Sequence, residues 1–324
     1  MEFVTIADLN KDIIKNLYKI PQDIDLIIGI PRSGLFLGSI IALYLNKQLT
    51  DIDSFIENRI YEVGNTKNTK NNISSANEAK KILVVDDSVD SGFAIQQAKE
   101  KLQNLNKNIK IIYLAGYVRF GTKNLVDIYF REVNDDRVFE WNYMHHSILN
   151  NVCCDIDGVL CEDPTFEEND DGKKYKEFIL NAKPKFIPSR EIGCLVTSRL
   201  EKYRKETEYW LRKNSIKYKS LYMMDNTTSK ERMLLCNHGK FKAEIYKKVN
   251  NKLFIESNIK QAEEIANLTG KFVFCIENQK FYSGSKFNKI QDHYKNYIER
   301  RIKNVLKQIL PKNFLNYYRN IKHK

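Results

Sequence analysis

No apolar run in this 324-residue sequence approaches the roughly 18 consecutive residues needed to span a bilayer, so no membrane-spanning helix is expected. A charged-then-apolar leader is also missing. The N-terminus, MEFVTIADLNKD, is acidic and periodic, and export is not expected. Cysteine is sparse. Six lie in or beside apolar runs (Cys153, Cys154, Cys194, Cys275) or alone (Cys161, Cys236), and none shows paired metal-ligand spacing. Reduced core thiols in a cytoplasmic protein are the better reading. Acid is absent from the last stretch: Arg300 to Lys324 hold eight Lys or Arg and no Asp or Glu. Two thirds of the net charge of +12 therefore belongs to a tail, and nucleic acid is not expected as a partner of the mildly basic body.

The length suffices for two ordinary domains or one large one, and 42% hydrophobic residues can supply two cores. Apolar runs alternate with helical patterns. IDLIIGI (24–30) reads as a buried strand and is followed by the apolar helix LFLGSIIALYLN. KILVVDD (81–87), the helix FAIQQAKEKLQNL and the strand IKIIYLAGYV (109–118) come next. VDIYFREV and DRVFEWNYM suggest a closing pair of strands. Such alternation argues for a parallel sheet covered on both faces. Residues 58–79 are polar and Asn-rich, the composition of an active-site flap or of plain disorder. After residue 151 the alternation restarts with NVCCDID, GCLVTS, LYMM, KLFIES and KFVFCI, which predicts a second α/β domain.

In ILVVDDSVDSG (82–92) two adjacent acids end a buried strand, and a Ser- and Gly-containing turn leads into a helix. Ligands bind at that end of a parallel sheet. The turn's N–H groups and the helix N-terminus suit a phosphate, and two carboxylates suit a sugar diol. Together these describe ribose 5-phosphate; an acid pair capping a helix is the plainer alternative. The pattern resembles the binding motif for phosphoribosyl pyrophosphate (PRPP) in type I phosphoribosyltransferases. GIPRSGLFLG (29–38) lies where that family carries its pyrophosphate loop. The resemblance implies that Asp86 and Asp87 hold the ribose hydroxyls, and that Ser88, Ser91 and Gly92 line the 5-phosphate pocket. Ile30, Pro31, Arg32 and Ser33 would face pyrophosphate. Asp90 matches a position that serves as general base in purine-salvage members; a solvated turn acid is the alternative. Ala94 departs from the Thr that many members carry. The 58–79 segment matches the family's mobile loop, whose closure keeps water from the ribosyl centre. FEW (139–141) either shapes the acceptor end or leaves Trp141 in the core.

DIDGVL (155–160) resembles motif one of haloacid-dehalogenase (HAD)-like phosphatases. LVTSR (195–199), a lysine in FKAEIYKK and the acid of LFIESN (253–258) stand where motifs two, three and four do. The resemblance implies that Asp155 attacks phosphorus, and that Asp157 protonates the leaving alkoxide and later activates water. Asp155, the Asp157 carbonyl and Glu256 would hold Mg²⁺. Thr197 would bond the phosphoryl oxygens and Lys242 would offset their charge. Motif four is often Asp-rich and here reads Glu-Ser-Asn. The short interval between motifs one and two implies a small cap.

In the tail, Ile298, Ile302, Val305, Leu306, Ile309 and Leu310 fall at helical spacing among basic residues. Such a segment lies on an anionic membrane surface or docks on the body, with RNA binding a weaker third option because no recognition motif accompanies the charge. The expected fold is thus α/β with two Rossmann-like parallel-sheet domains and a basic helical tail. The phosphoribosyltransferase-like domain spans 1–148, the HAD-like domain with its small cap 149–285, and the tail 286–324. A phosphoribosyltransferase leaves a phosphate on its product and a phosphatase removes one. The pairing resembles the fused ribofuranosyltransferases of bacterial capsule and O-antigen synthesis. That implies PRPP as donor, Mg²⁺ as cofactor and a glycan, lipid-linked acceptor at the inner face of the membrane. An enzyme of nucleobase or specialised nucleoside metabolism is one alternative, and a non-catalytic PRPP-sensing regulator is another.

Overall fold

The computed structural model describes residues 1–63, 73–103, 109–225 and 238–284. The tail expected at 286–324, the middle of the 58–79 segment and Cys236 lie outside the described residues. The chain divides into two compact units, Met1–Asn142 and Tyr143–Lys324. Among the described residues, no helix is long and apolar enough to cross a membrane.

The first unit runs β1 (Glu2–Val4), α1 (Ile6–Asn16), β2 (Leu26–Gly29), α2 (Ser33–Leu45), β3 (Gln48–Asp51) and α3 (Ile52–Ile56). It continues with β4 (Lys81–Val89), α4 (Phe93–Leu102), β5 (Lys110–Arg119), β6 (Ile128–Val133) and β7 (Arg137–Phe139). A capping box starts α1: the Thr5 hydroxyl accepts from the Asp8 N–H at 3.0 Å, and the Asp8 carboxylate accepts from the Thr5 N–H at 3.3 Å. Five strands form a parallel sheet in the order β3-β2-β4-β5-β6. Strand side chains alternate between its faces. Ile27, Leu83 and Val85 pack with Leu9, Ile13, Leu37 and Ile41, while Leu26, Ile28, Ile82 and Val84 pack with Phe55, Ala98 and Leu102. Helices cover both faces, which is why β2 and β4 read as unbroken apolar runs.

Counted in chain order, the sheet strands lie 2-1-3-4-5, so connections diverge between β2 and β4 and open a crevice at their carboxyl ends. The expected closing pair does not form. β6 takes the parallel edge beside β5, whereas β7 pairs with β1. That pairing buries Val4 against the β7 side of the sheet's apolar cluster, where Phe139 also packs, and Glu2 binds Arg131 of β6 at 3.0 Å.

The second unit holds β8 (Val152–Cys154), α5 (Lys173–Asn181), β9 (Ile192–Leu200), α6 (Arg204–Lys213) and β10 (Tyr218–Met224). After these come α7 (His238–Lys248), β11 (Leu253–Glu256), α8 (Ile259–Thr269), β12 (Phe272–Cys275) and β13 (Lys280–Tyr282). Its sheet runs β10-β9-β8-β11-β12-β13, parallel except for β13. This is the 3-2-1-4-5-6 order of a doubly wound sheet, with its switch point between β8 and β11. Asn258 caps α8 by accepting from the Gln261 N–H, and Gly270 ends it at φ 68°.

Candidate functional site

In the first unit, β4 carries the acid pair before it ends. Asp86 and Asp87 are 6% and 4% exposed, because both faces of the sheet are covered there. The Asp87 carboxylate is gripped on both oxygens. The Ser33 hydroxyl donates to Oδ1 at 2.8 Å and the Trp141 indole N–H donates to Oδ2 at 2.7 Å. Asp86 Oδ1 accepts the Asp87 N–H at 2.9 Å. Burial first, and the Asp87 charge second, push the Asp86 carboxyl up to about 8. Near neutrality the Asp86 carboxyl therefore keeps its proton and can donate, while the Asp87 oxygens accept from Ser33 and Trp141, a match for hydroxyls that both give and take hydrogen bonds.

A raised acid binds its proton more tightly in the folded chain. The stability it contributes is complete below the ordinary carboxylate range and is lost as pH climbs to about 8. Asp86→Asn removes that titration. The variant should melt higher than wild type at pH 8.5 by roughly 1–3 kcal/mol of stability, with the gap closing near pH 4. Thermal melts at the two pH values check it; a gap that widens toward acid refutes it.

The remaining residues of this crevice come from three turns. Ile30 follows β2 and donates its N–H to the Val85 carbonyl at 2.9 Å, placing Pro31 and Arg32 beside the acid pair. Gly34, in the first turn of α2, has no room for a side chain. A Cβ there would lie 2.4 Å from the Val85 carbonyl oxygen and 3.1 Å from Asp86 Cα. The glycine is what lets the N-terminus of α2 reach the acids. Ser88 is half-buried in the strand, opposite Tyr117. Gly92 opens α4 at φ 83° and a Cβ would meet Leu125 at 2.6 Å; the Ser91 hydroxyl accepts from the Phe93 N–H at 3.4 Å.

The Ser33 hydroxyl, expected to face pyrophosphate, donates to Asp87 and so ties that turn to the acid pair. Asp90 is exposed and also bridges Arg119 at 3.2 Å and Arg137 at 3.0 Å, so it is a solvated turn acid that is ion-paired as well. Trp141 was legible only as core or acceptor wall. Its bond to Asp87 crosses 54 residues of sequence, and no local pattern signals it.

In the second unit, Asp155 directly follows β8, anchored by its N–H to the Ile255 carbonyl at 3.0 Å. Lys242 extends from α7 and is 1% exposed. Its ammonium touches Asp155 Oδ2 at 2.6 Å, Glu256 Oε2 at 2.7 Å and Gln261 Oε1 at 2.8 Å. Burial alone would lower its pKa, but the Asp155 and Glu256 charges hold it above the usual lysine value. For Asp155, burial pushes upward; Lys242 opposes, while the Glu256 and Asp157 charges reinforce the rise. These residues meet at the sheet's switch point, as a ligand site in this topology should.

Asp157 faces a partner that the motifs did not supply. Arg199, fully buried at the end of β9, binds its carboxylate at 2.6 Å through Nη2 and at 3.2 Å through Nε. The arginine was visible in LVTSR, yet nothing in the sequence says which acid it meets. The Thr197 hydroxyl is wholly buried and accepts the Arg199 N–H at 3.2 Å, whereas Ser198 lines the cavity. That cavity, of about 430 Å³, has Asp155, Asp157, Ser198, Lys242 and Lys185 in its wall. Gly158 sits at φ 72°, where a Cβ would strike Ser257 Oγ at 2.4 Å.

A divalent cation would take hard oxygen donors from Asp155, Glu256 and the Asp157 carbonyl, which the Ser257 hydroxyl touches at 3.2 Å. Among the described residues, no group of three or more His, Cys, Asp or Glu side chains has metal-site spacing. Two carboxylates and a carbonyl suit Mg²⁺, which keeps waters and borrows substrate phosphate oxygens, better than a metal needing a full protein cage.

Residues 3–147 match the phosphoribosyl transferase domain family. Among solved structures, the xanthine-guanine-hypoxanthine phosphoribosyltransferase of Helicobacter pylori is similar at 16% identity and TM-score 0.33, covering 43% of this chain and 90% of its own. The purine phosphoribosyltransferase of Pyrococcus horikoshii Ot3 is similar at 20% identity and TM-score 0.32, covering 43% and 92%. The orotate phosphoribosyltransferase of Aeropyrum pernix is similar at 17% identity and TM-score 0.27, covering 39% and 70%. Comparison with curated proteins gives no match.

Proposed function

We propose a two-step ribosyl transfer, starting from the match of residues 3–147 to the phosphoribosyl transferase domain family. In the first step PRPP donates its phosphoribosyl group to an acceptor hydroxyl and pyrophosphate leaves. In the second step the Tyr143–Lys324 unit, acting as a HAD-like phosphatase, hydrolyses the ribose 5-phosphate. The observation that carries the second half is the buried cluster of Asp155, Lys242 and Glu256 opening onto a cavity at a strand-order switch.

The chemistry follows from these side chains. Asp86 and Asp87 bind the ribose 2- and 3-hydroxyls, Ser88, Ser91 and Gly92 receive the 5-phosphate, and the Ile30–Arg32 turn with the α2 N-terminus receives pyrophosphate. In the second unit, Asp155 attacks phosphorus and the ribose C5 oxygen departs with a proton from Asp157. Water then attacks the acyl phosphate, giving its proton to Asp157 and restoring Asp155. Arg199 fixes the Asp157 carboxylate while Lys242 and Ser198 face the phosphoryl oxygens. Asp155, Glu256 and the Asp157 carbonyl would hold Mg²⁺, which supplies positive charge to the phosphoryl group.

An unphosphorylated ribose as end product suits a glycan better than nucleotide salvage, where the second step would undo the first. The acceptor is accordingly a bacterial surface glycan, carried on lipid at the inner membrane face. Mass spectrometry of protein incubated with PRPP, Mg²⁺ and a panel of sugar and base acceptors tests this. Ribosylated sugar with free phosphate and pyrophosphate is expected; a ribosylated base moves the protein to nucleoside metabolism, and PRPP binding without pyrophosphate release makes it a sensor.

The cation-rich stretch from Arg300 to Lys324 completes the proposal as a contact with anionic lipid. A chain ending at Glu299 should turn over a soluble acceptor normally yet bind anionic vesicles less, with high salt mimicking the deletion. Full-length protein that ignores such vesicles at low salt refutes the lipid contact.

A further inference from the structure

The hold on Asp87 is asymmetric in its origin. Ser33 reaches Oδ1 from α2, whose N-terminus is part of the same crevice. Trp141 reaches Oδ2 from beyond β7, outside the five-stranded sheet. The indole does not swing freely. Its ring stacks on Phe139 at 4.8 Å and 21°, lies 6.3 Å from Tyr117 and 6.1 Å from Phe36, and so has its N–H aimed by packing. A carboxylate bonded on both oxygens loses rotation about its Cβ–Cγ bond and keeps one lone pair per oxygen for a ligand. A free aspartate would have to give up that rotation when a diol binds.

We propose that Trp141 is the positioning residue of the donor site: its indole N–H holds the Asp87 carboxylate in the orientation that accepts the ribose hydroxyls. The inference rests on the reading of Asp86 and Asp87 as the diol site, and it adds a residue outside both sequence motifs. It also makes donor binding visible at the indole. The chain has two tryptophans, and the other, Trp210, is 1% exposed in the second unit with its N–H on the Ala182 carbonyl at 2.8 Å.

Trp141→Phe keeps an aromatic ring for the stack and deletes the donor together with part of the ring. PRPP affinity, measured by calorimetry on the full chain, should fall roughly tenfold, the loss expected for one hydrogen bond to a charged acceptor. The KM for PRPP should rise with it, while the acceptor KM stays within error; an acceptor wall would move the acceptor KM instead. Asp87→Asn, measured alongside, should weaken PRPP at least as much. If Asp87→Asn weakens PRPP and Trp141→Phe leaves it within twofold, the positioning role is overturned and the diol site stands. If neither weakens it, the diol site falls as well. Should Trp141→Phe fail to fold, wild-type protein labelled with 5-fluorotryptophan decides: PRPP must shift one of its two fluorine resonances, and no shift overturns the role.

Discussion

With Asp155 replaced by asparagine, protein supplied with PRPP, Mg²⁺ and a competent acceptor accumulates the acceptor bearing phosphoribose and releases no phosphate. Asparagine keeps the volume and the oxygen that accepts the Ile156 N–H at 2.8 Å. Lys242 also retains Glu256 and Gln261, so the fold survives. What disappears is the proposed nucleophile, and the proposed phosphatase turnover should drop by roughly 10⁴-fold or more. Asp86→Asn combined with Asp87→Asn gives the reverse pattern: no transfer, but continued dephosphorylation of a supplied phosphoribosyl acceptor. Masses differing by one phosphoryl group separate the outcomes. An Asp155→Asn protein that still delivers the unphosphorylated product assigns the second unit to another substrate.

The second large effect is on stability. Lys242→Met keeps the stem of the side chain and removes the ammonium between Asp155 and Glu256, which are 5% and 0% exposed. Two buried carboxylates are then left facing each other without a counter-charge, at a cost of roughly 3–5 kcal/mol. For a unit of this size that lowers the melting temperature by about 6–20 °C. The acid pair is the cause, so adding Asp155→Asn to Lys242→Met should recover part of the loss, and a double-mutant cycle measures how much. A double variant that melts no higher than Lys242→Met alone would falsify the electrostatic account.

Patterns that repeat along the chain were legible, and pairings across it were not. The runs at 24–30 and 82–87 announced β2 and β4, and KLFIES announced β11, because burial on both faces leaves no polar residue to interrupt them. QLTD and KFY did not announce β3 and β13, which are short edge strands with exposed or half-buried positions. The acid pairs at 86–87 and 155–157 stood out because each follows an apolar run. Their partners are long-range: Trp141 for Asp87, Arg199 for Asp157, and Lys242 between Asp155 and Glu256. FKAEIYKK and its neighbours offered several lysines. The structure puts the Lys242 ammonium between the two acids, a fact of helix placement that spacing alone does not contain.

Because β1 pairs with β7, the first unit cannot close in the order in which it is synthesised. Glu2 leaves the ribosome long before Arg137, its register partner, exists. During that interval β2, β4 and β5 can assemble from nearby sequence, while Glu2–Val4 waits as an unpaired strand able to join a neighbouring nascent chain. Trp141 lies two residues past β7 and arrives with the closing strand. The crevice around the acid pair is therefore completed last, and a chain stalled before Phe139 would carry Asp86 and Asp87 without the indole that bonds Asp87.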